Sequence, residues 1–478
     1  MQKSLGVWGG VAIAASSTAA TTSIGIGLGL MAGMVGLHLP AIMLLAFLPI
    51  LGIAGGYGRL SRVEPNAGSS YTWVGRTLSP WLGFLTGWVN TVGTIVFMAY
   101  TTTVTGSAII QLLGQASVHS VAGLHLDPDS TLQATLIGLV VLIAAALVAV
   151  RGVELAAGLQ KWLLIFEYVV LLGFCGYGLF AGDQPFSLEW FNPFAIPSFE
   201  GLAQGMVLAV FCYWGFESVF SVSEEVRDPR VASRSGFIAL TVMLLLFLLG
   251  GTAFQRVMPL GELAGNGAHG LTYFGEKLAD QPLAALPLIA LTFSAAASLQ
   301  AAVIPTARGM YAMGRDGTLG SVWTRFHPRY PTPYAATLLI TAFAVVLALL
   351  SLVIPTVNDV IFAAVNSIGI LVAFYYALTA IAAAVRFRRL VRTSPVEALR
   401  AVVGPLLGAA TLLAVGGYLA WVFYDSADHF EVSADNGWFA LLIPALMLAS
   451  GLMVAAWARW VRKAPYFTPG FGTGPHSD

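Results

Sequence analysis

Two carboxyl groups stand where carboxyl groups are costly. Glu217 lies in Phe211-Cys212-Tyr213-Trp214-Gly215-Phe216-Glu217-Ser218, and Glu167 in Trp162-Leu163-Leu164-Ile165-Phe166-Glu167-Tyr168-Val169-Val170, each inside a long apolar stretch. A charge at bilayer depth costs about 2.5–3.5 kcal/mol on insertion scales, so such residues face a cavity, a partner or an ion path. Proton exchange is the chemistry open to them. Gly215, set among aromatic residues, marks a place where a helix can open and offer backbone groups to a solute. The other reading of Glu167 is a structural acid that bridges helices.

The elements that position these groups follow from composition. The chain has 478 residues, 57% hydrophobic and 10% charged, with a mean hydropathy of +0.81. Soluble domains carry about 25% charged residues, so this chain has too little polar surface to cover a globule in water. Its apolar runs suit a roughly 30 Å hydrocarbon core, which takes about 20 residues per helix. Twelve spans follow, at 7–33, 39–58, 80–112, 131–150, 155–180, 198–222, 235–255, 283–313, 334–354, 358–385, 401–423 and 437–460; we number them spans 1 to 12. Few segments alternate like a membrane barrel, so the class is all-α integral membrane protein. The first stretch lacks the short apolar region of a cleavable signal peptide.

Lys and Arg set the orientation. With both termini in the cytoplasm, 21 of the 23 basic residues fall on the inner side, and only Arg256 and Lys277 fall outside. On this reading 425–436 is extracellular, Arg386 to Arg400 is cytoplasmic, and 464–478 is a cytoplasmic tail. The net charge of zero gives no reason to expect nucleic acid. Cys175 and Cys212 both lie within spans and read as small apolar fillers. The seven histidines have no metal-ligand spacing, and no phosphate loop or nucleophile elbow is present. Neither cofactor nor metal is expected.

Span 1 carries a second point of interest, Thr21-Thr22-Ser23-Ile24-Gly25-Ile26-Gly27-Leu28-Gly29. Glycine costs roughly 1 kcal/mol relative to alanine inside a helix. The stretch therefore reads either as an unwinding point or as a small-residue packing face. The two candidate breaks, in spans 1 and 6, are five spans apart. A five-span unit must invert in its second copy, and paired broken helices in inverted halves hold the solute in many secondary transporters.

The loops then become specific. Gly58-Arg59-Leu60-Ser61-Arg62-Val63-Glu64-Pro65-Asn66-Ala67-Gly68-Ser69-Ser70-Tyr71-Thr72-Trp73-Val74-Gly75-Arg76 with Pro80-Trp81-Leu82-Gly83-Phe84 resembles the segment before helix 3 of the amino acid–polyamine–organocation (APC) family. Gly215-Phe216-Glu217-Ser218, followed by Glu224-Glu225 and Asp228-Pro229-Arg230, is similar to that family's helix 6 and its cytoplasmic end. Arg308-Gly309-Met310-Tyr311-Ala312-Met313-Gly314-Arg315-Asp316-Gly317, with His327-Pro328-Arg329-Tyr330, resembles the loop after its helix 8.

This resemblance implies the leucine-transporter fold. Residues 1–180 and 198–386 would be the two inverted repeats with discontinuous helices 1 and 6, and 400–463 would be helices 11 and 12. It implies an amino acid or related amine as substrate, moved by exchange or with a proton across the plasma membrane. By position, Thr22, Ser23, Ile24 and Gly25 would meet a substrate carboxylate, and Phe211, Cys212, Tyr213 and Gly215 the amino group. Phe211 stands six residues before Glu217, where several members keep an aromatic gate. Two departures stand out. The family's Gly-Ser-Gly or Gly-Thr-Gly is here Ser23-Ile24-Gly25, and Glu167 lies near the place of a helix 5 lysine that proton-coupled members often carry.

Around this core, Arg59, Arg62, Glu224, Glu225, Arg308 and Arg315 read as a cytoplasmic gate of ion pairs, or as solvated charges at the inner surface. Thr292, Ser294 and Ser298 in span 8 would line a sodium site or pack between helices. Glu217 is expected to gate and Glu167 to couple protons. The competing functions are a sodium-coupled symporter and a polytopic enzyme acting on lipid. The enzyme lacks clustered His, Asp or Ser at one membrane face, and a channel would need a polar pore or a ring of like residues. The oligomeric state is open.

Overall fold

The computed structural model describes residues 5–121, 123–266, 269–330, 332–354, 356–426 and 437–468. Among these, eleven helices are long and apolar enough to cross a membrane, and a twelfth apolar helix, Phe199–Tyr213, is too short to do so alone. The protein is an all-α multi-pass membrane protein. Its one described sheet is an antiparallel hairpin of two-residue strands, Ser120–Val121 with Leu124–His125.

Spans 2 to 5 are the helices Leu39–Val63, Pro80–Gln115, Thr131–Arg151 and Val153–Ala181. Spans 7 to 12 are Pro229–Val257, Leu286–Arg315, Tyr334–Leu350, Val357–Arg386, Gly404–Asp425 and Gly437–Trp460. Span 8 is the most enclosed, with 83% of its most apolar stretch buried, against 28% for span 12. The bundle therefore has a centre and a lipid-facing rim, although both are apolar in sequence. Spans 4 and 9 belong to the rim, where Val140, Leu147, Phe343 and Val346 are exposed.

Spans 1 and 6 are both interrupted. Span 1 runs as Val7–Thr18, turns left-handed at Ala19 (φ 47°), resumes over Ala20–Thr22, widens into a π-helical turn at Ser23–Gly27 and ends as Leu28–Val35. Span 6 stops at Tyr213, reverses at Gly215 (φ 111°) and resumes at Ser218–Ser221. The reversal of span 1 thus falls at Ala19, ahead of the Thr22–Gly25 stretch expected to open.

The expected extracellular loop lies outside the described residues except for Asp425 and Ser426, as do residues 469–478 of the expected tail. The tail's first residues are packed. Tyr466 stacks on Tyr71 at 4.6 Å and donates to the Tyr71 carbonyl, while Phe467 packs on Trp81 and Phe84.

Candidate functional site

The two interruptions touch. A side chain at Gly215 would place its Cβ 2.6 Å from the carbonyl carbon of Ser17 and 2.9 Å from the Thr18 nitrogen. Only glycine allows the span 6 backbone both that approach and a positive φ. Beside the crossing lies a cavity of about 30 Å³, room for little more than one water. Thr22, Ser23, Ile26 and Gly27 face it from span 1, and Leu208, Phe211, Cys212 and Trp214 from span 6.

Helical geometry decides which expected residues arrive. Span 1 stays helical from Ala20 onward, so neighbouring residues point to different sides. Thr22 and Ser23 reach the cavity. Ile24 packs on Gly250 of span 7, and Gly25 faces Leu291 and Leu271. Ile24 and Gly25 are therefore not cavity residues; the four-residue contact assumed an unwound segment. In span 6, Phe211 and Cys212 arrive. Tyr213 turns away, donates to the Met43 carbonyl at 3.2 Å and packs on Phe47 and Phe247.

Span 3 supplies two lining residues missed in the sequence, Phe97 and Tyr100. With Phe211 and Trp214 they close a ring of aromatics: Phe97–Tyr100 at 5.4 Å, Tyr100–Phe211 at 6.3 Å, Phe211–Trp214 at 5.9 Å and Trp214–Phe97 at 5.6 Å. Their spacing of three on one helix face was the only sequence signal, and it does not distinguish a lining from ordinary packing. Aromatic faces attract cations, and they do so most strongly away from water.

Glu217 sits just beyond this ring, 6% exposed. Its Oε1 accepts from the Tyr375 hydroxyl at 2.6 Å, and its Oε2 from the Tyr376 hydroxyl at 2.6 Å and from the Gly215 N–H at 3.0 Å. The last bond satisfies an N–H released by the break. The Trp214 indole N–H donates in turn to the Tyr375 hydroxyl. Glu217 is thereby wired through one phenol to a wall of the cavity. Adjacent tyrosines in mid-membrane were the readable sign of such a partner, because each buried hydroxyl needs one.

Glu167, 1% exposed, serves the other break. Its Oε1 accepts from the Thr21 hydroxyl at 3.0 Å, the Thr21 N–H at 3.4 Å and the Ser294 hydroxyl at 3.0 Å. Ser294 also accepts the Thr22 N–H at 3.4 Å. Of the three hydroxyls expected at a cation site, only Ser294 joins this cluster. Thr292 and Ser298 donate to the Leu288 and Ala295 carbonyls of their own helix.

Two further small cavities lead from the centre toward the arginine-rich end. The first, about 30 Å³, lies past Phe97 and Trp214 and is lined by Asn90, Thr94, Glu217 and Thr306. The second, about 20 Å³, continues along Asn90, Ser221 and Thr306 to Tyr71 and Met313. Beyond them stand four of the six expected gate residues. Arg308 Nε donates to Glu225 Oε1 at 2.6 Å with both side chains almost fully buried, and Arg315 donates to Glu224 at 3.2 Å nearer the surface. Next to them, burial pushes the Asp316 carboxyl above its usual range, while Arg315 and Arg76 pull it back. Arg59 and Arg62 do not join this gate. Arg59 donates to Glu397 at 2.8 Å and Arg62 to the Ser233 hydroxyl at 2.9 Å, on the outer side of span 2.

A helical bundle whose two broken spans meet at an enclosed central cavity, with a latched path to one end, defines a membrane carrier. The amino acid permease family model matches residues 5–466, and the chain belongs to that family. It is a secondary transporter for amino acids or amines. Its relatives include the low-affinity putrescine importer PlaP of Escherichia coli, 27% identical over 73% of this chain and 74% of that protein. The methylthioribose transporter of Bacillus subtilis is 27% identical over 59% of this chain and 60% of its own length. The branched-chain amino acid permease BcaP of Lactococcus lactis is 24% identical over 56% and 58%.

Proposed function

We propose that the protein moves a compact substrate, with an amino group and an apolar body, by alternating access across the plasma membrane with both termini in the cytoplasm. It acts as a permease and not as an enzyme. The observation that carries this reading is the closed aromatic ring of Phe97, Tyr100, Phe211 and Trp214 beside the Thr22 and Ser23 hydroxyls, with no acid among the described lining residues. The cavity of about 30 Å³ must widen to admit the substrate; a cationic amine would then lie against the ring faces, with Ile26, Leu30 and Val365 around the apolar body. Arginine and longer polyamines would need an anionic contact for the second charge, and none is present among the described lining residues.

Two inverted repeats, residues 1–180 and 198–386, rock about the crossing of the breaks. Inward release follows the polar path past Phe97 and Trp214, then opening of the Glu225–Arg308 and Glu224–Arg315 pairs. Proton coupling is favoured over sodium because a carboxyl serves each break. Protonation of Glu217 alters its bond to Tyr375, and through that phenol the hold on Trp214. Protonation of Glu167 loosens Thr21 and Ser294.

A second reading, an amine without a carboxylate, is favoured by one observation. The Thr21 and Thr22 N–H groups, a natural site for a substrate carboxylate, are already taken by Glu167 and Ser294. A thermal-shift screen of purified protein against leucine-like amino acids and their decarboxylated amines separates the two readings, and counterflow in liposomes establishes carriage. Failure of every amine and amino acid to exchange would end both. Orientation is checked by single cysteines at Thr393 and His119, which should label from the inside and the outside of cells, respectively. The native Cys175 and Cys212 are buried and give little background.

A further inference from the structure

The two arginines that stay out of the gate line the largest of the cavities described above and below. A groove of about 570 Å³ opens on the outer side of span 2, between Leu48, Gly52 and Arg62 of that span, Ser233 and Phe237 of span 7, and the 397–404 segment that enters span 11. Three arginines, Arg59, Arg62 and Arg400, line its arginine-rich end, against one acid, Glu397, which is already paired with Arg59. The charges of Arg230 and Arg234 also bear on Arg62. The Arg59 Nε is buried without a hydrogen-bond partner.

Toward the membrane centre the groove changes character. It continues, through the shared residues Leu48, Gly52 and Gly404, into a second cleft of about 340 Å³ between Leu45, Leu202, Met206, Leu407 and Val415. The one hydroxyl there, on Thr411, is spent on the Leu407 carbonyl of its own helix. From Arg62 to Leu45 span 2 rises about 25 Å, more than the roughly 15 Å of one hydrocarbon leaflet. A basic mouth that runs into an apolar slot of this length matches the two ends of one molecule.

We infer that this groove binds an anionic phospholipid, its phosphate held by Arg62 and Arg400 and one acyl chain lying along spans 2 and 11. Basic pockets between helices on the cytoplasmic side are suited to anionic head groups. A free phosphate would use the mouth alone, whereas the slot opens to the bilayer at the exposed Leu48, where an acyl chain joined to the same phosphate fills both. The headgroup would join arginines on two separate elements, and so tie span 2 to the segment that begins span 11. The inference takes from the orientation proposed above only which leaflet supplies the lipid, and the cysteine labelling tests that separately.

The test uses the full-length protein purified in detergent, with lipids added back. Native mass spectrometry should show dioleoylphosphatidylglycerol retained at least 5-fold over dioleoylphosphatidylcholine, and only the former should raise the melting temperature. Arg62→Gln with Arg400→Gln should abolish that preference. Leu48→Trp, at a lipid-exposed position where the two clefts join, should weaken retention without a charge change. Glycerol 3-phosphate should give no shift. Equal retention of both lipids, or unchanged preference in the arginine double variant, overturns the inference, as does a full shift with glycerol 3-phosphate. Substrate thermal shifts on the same samples tell this failure from a failure of the transport reading.

Discussion

The breaks in spans 1 and 6 reach a similar end by different means. In span 6 the interruption is supplied locally: Gly215 takes the positive φ, and Glu217, two residues on, accepts the freed N–H. In span 1 the interruption is served from a distance. Ala19 turns left-handed without being glycine, and the Thr21 and Thr22 N–H groups are met by Glu167 of span 5 and Ser294 of span 8. In span 6 the cap itself comes from the broken segment, and span 10 only steadies it through Tyr375 and Tyr376. A break capped by other helices is held only while those helices stay in place, so its state reports their motion. From that difference we propose that Glu217 gates and Glu167 couples.

The largest expected effect tests the contact between the breaks. Gly215→Leu forces a side chain into the Ser17 carbonyl at a φ that L-residues rarely adopt, at a cost of roughly 1–3 kcal/mol before any clash. Transport in liposomes should fall to background, on the order of 100-fold. Gly25→Leu, by contrast, meets Leu291 and Leu271 and should lower the melting temperature while sparing the cavity lining. Parental transport by the Gly215 variant would separate the breaks.

Next comes the latch. Arg308→Gln strands a buried Glu225 carboxylate, and breaking such a pair costs about 3–5 kcal/mol, whereas Arg315→Gln breaks a half-exposed pair for about 0–1 kcal/mol. Thermal unfolding of the two variants should differ accordingly. Equal losses would mean that burial does not distinguish the pairs.

The two carboxyls sharpen the comparison itself. Glu217→Gln puts an amide NH₂ where a tyrosine hydroxyl now donates, at a cost of about 1–3 kcal/mol; exchange and pH-driven uptake should both slow about 10-fold. Tyr375→Phe, which cuts the link to Trp214, should do the same. Glu167→Gln should have the narrower effect: exchange at equal pH within about 2-fold of the parent, with accumulation driven by a pH gradient lost. Should the two glutamine variants behave alike, the distinction between local and distant capping has no functional meaning. If both accumulate substrate normally, neither carboxyl carries the proton.

Much of this protein was readable without coordinates. The apolar runs gave the helices because burial in lipid is paid residue by residue along the chain, and each run needs only length and composition. Glu217 and Glu167 stood out because a carboxyl in such a run demands a partner. Gly215 stood out because it adjoins one of them. What the chain could not state is which face of a helix meets which neighbour. In a membrane both the lipid side and the packed side are apolar, so the polar-out stripe that orients a soluble helix is weak. Ile24 and Gly25 were thus assigned to the cavity along with Thr22 and Ser23, and Arg59 and Arg62 to the gate along with Arg308. Phe97 and Tyr100 were not singled out at all. Only the tertiary structure closed four aromatics from two spans into a ring, set Glu167 against a break 146 residues away, and left three arginines at the mouth of an apolar groove. Those pairings rest on the directions of individual hydrogen bonds and side chains between helices, which hydrophobicity along a sequence does not encode.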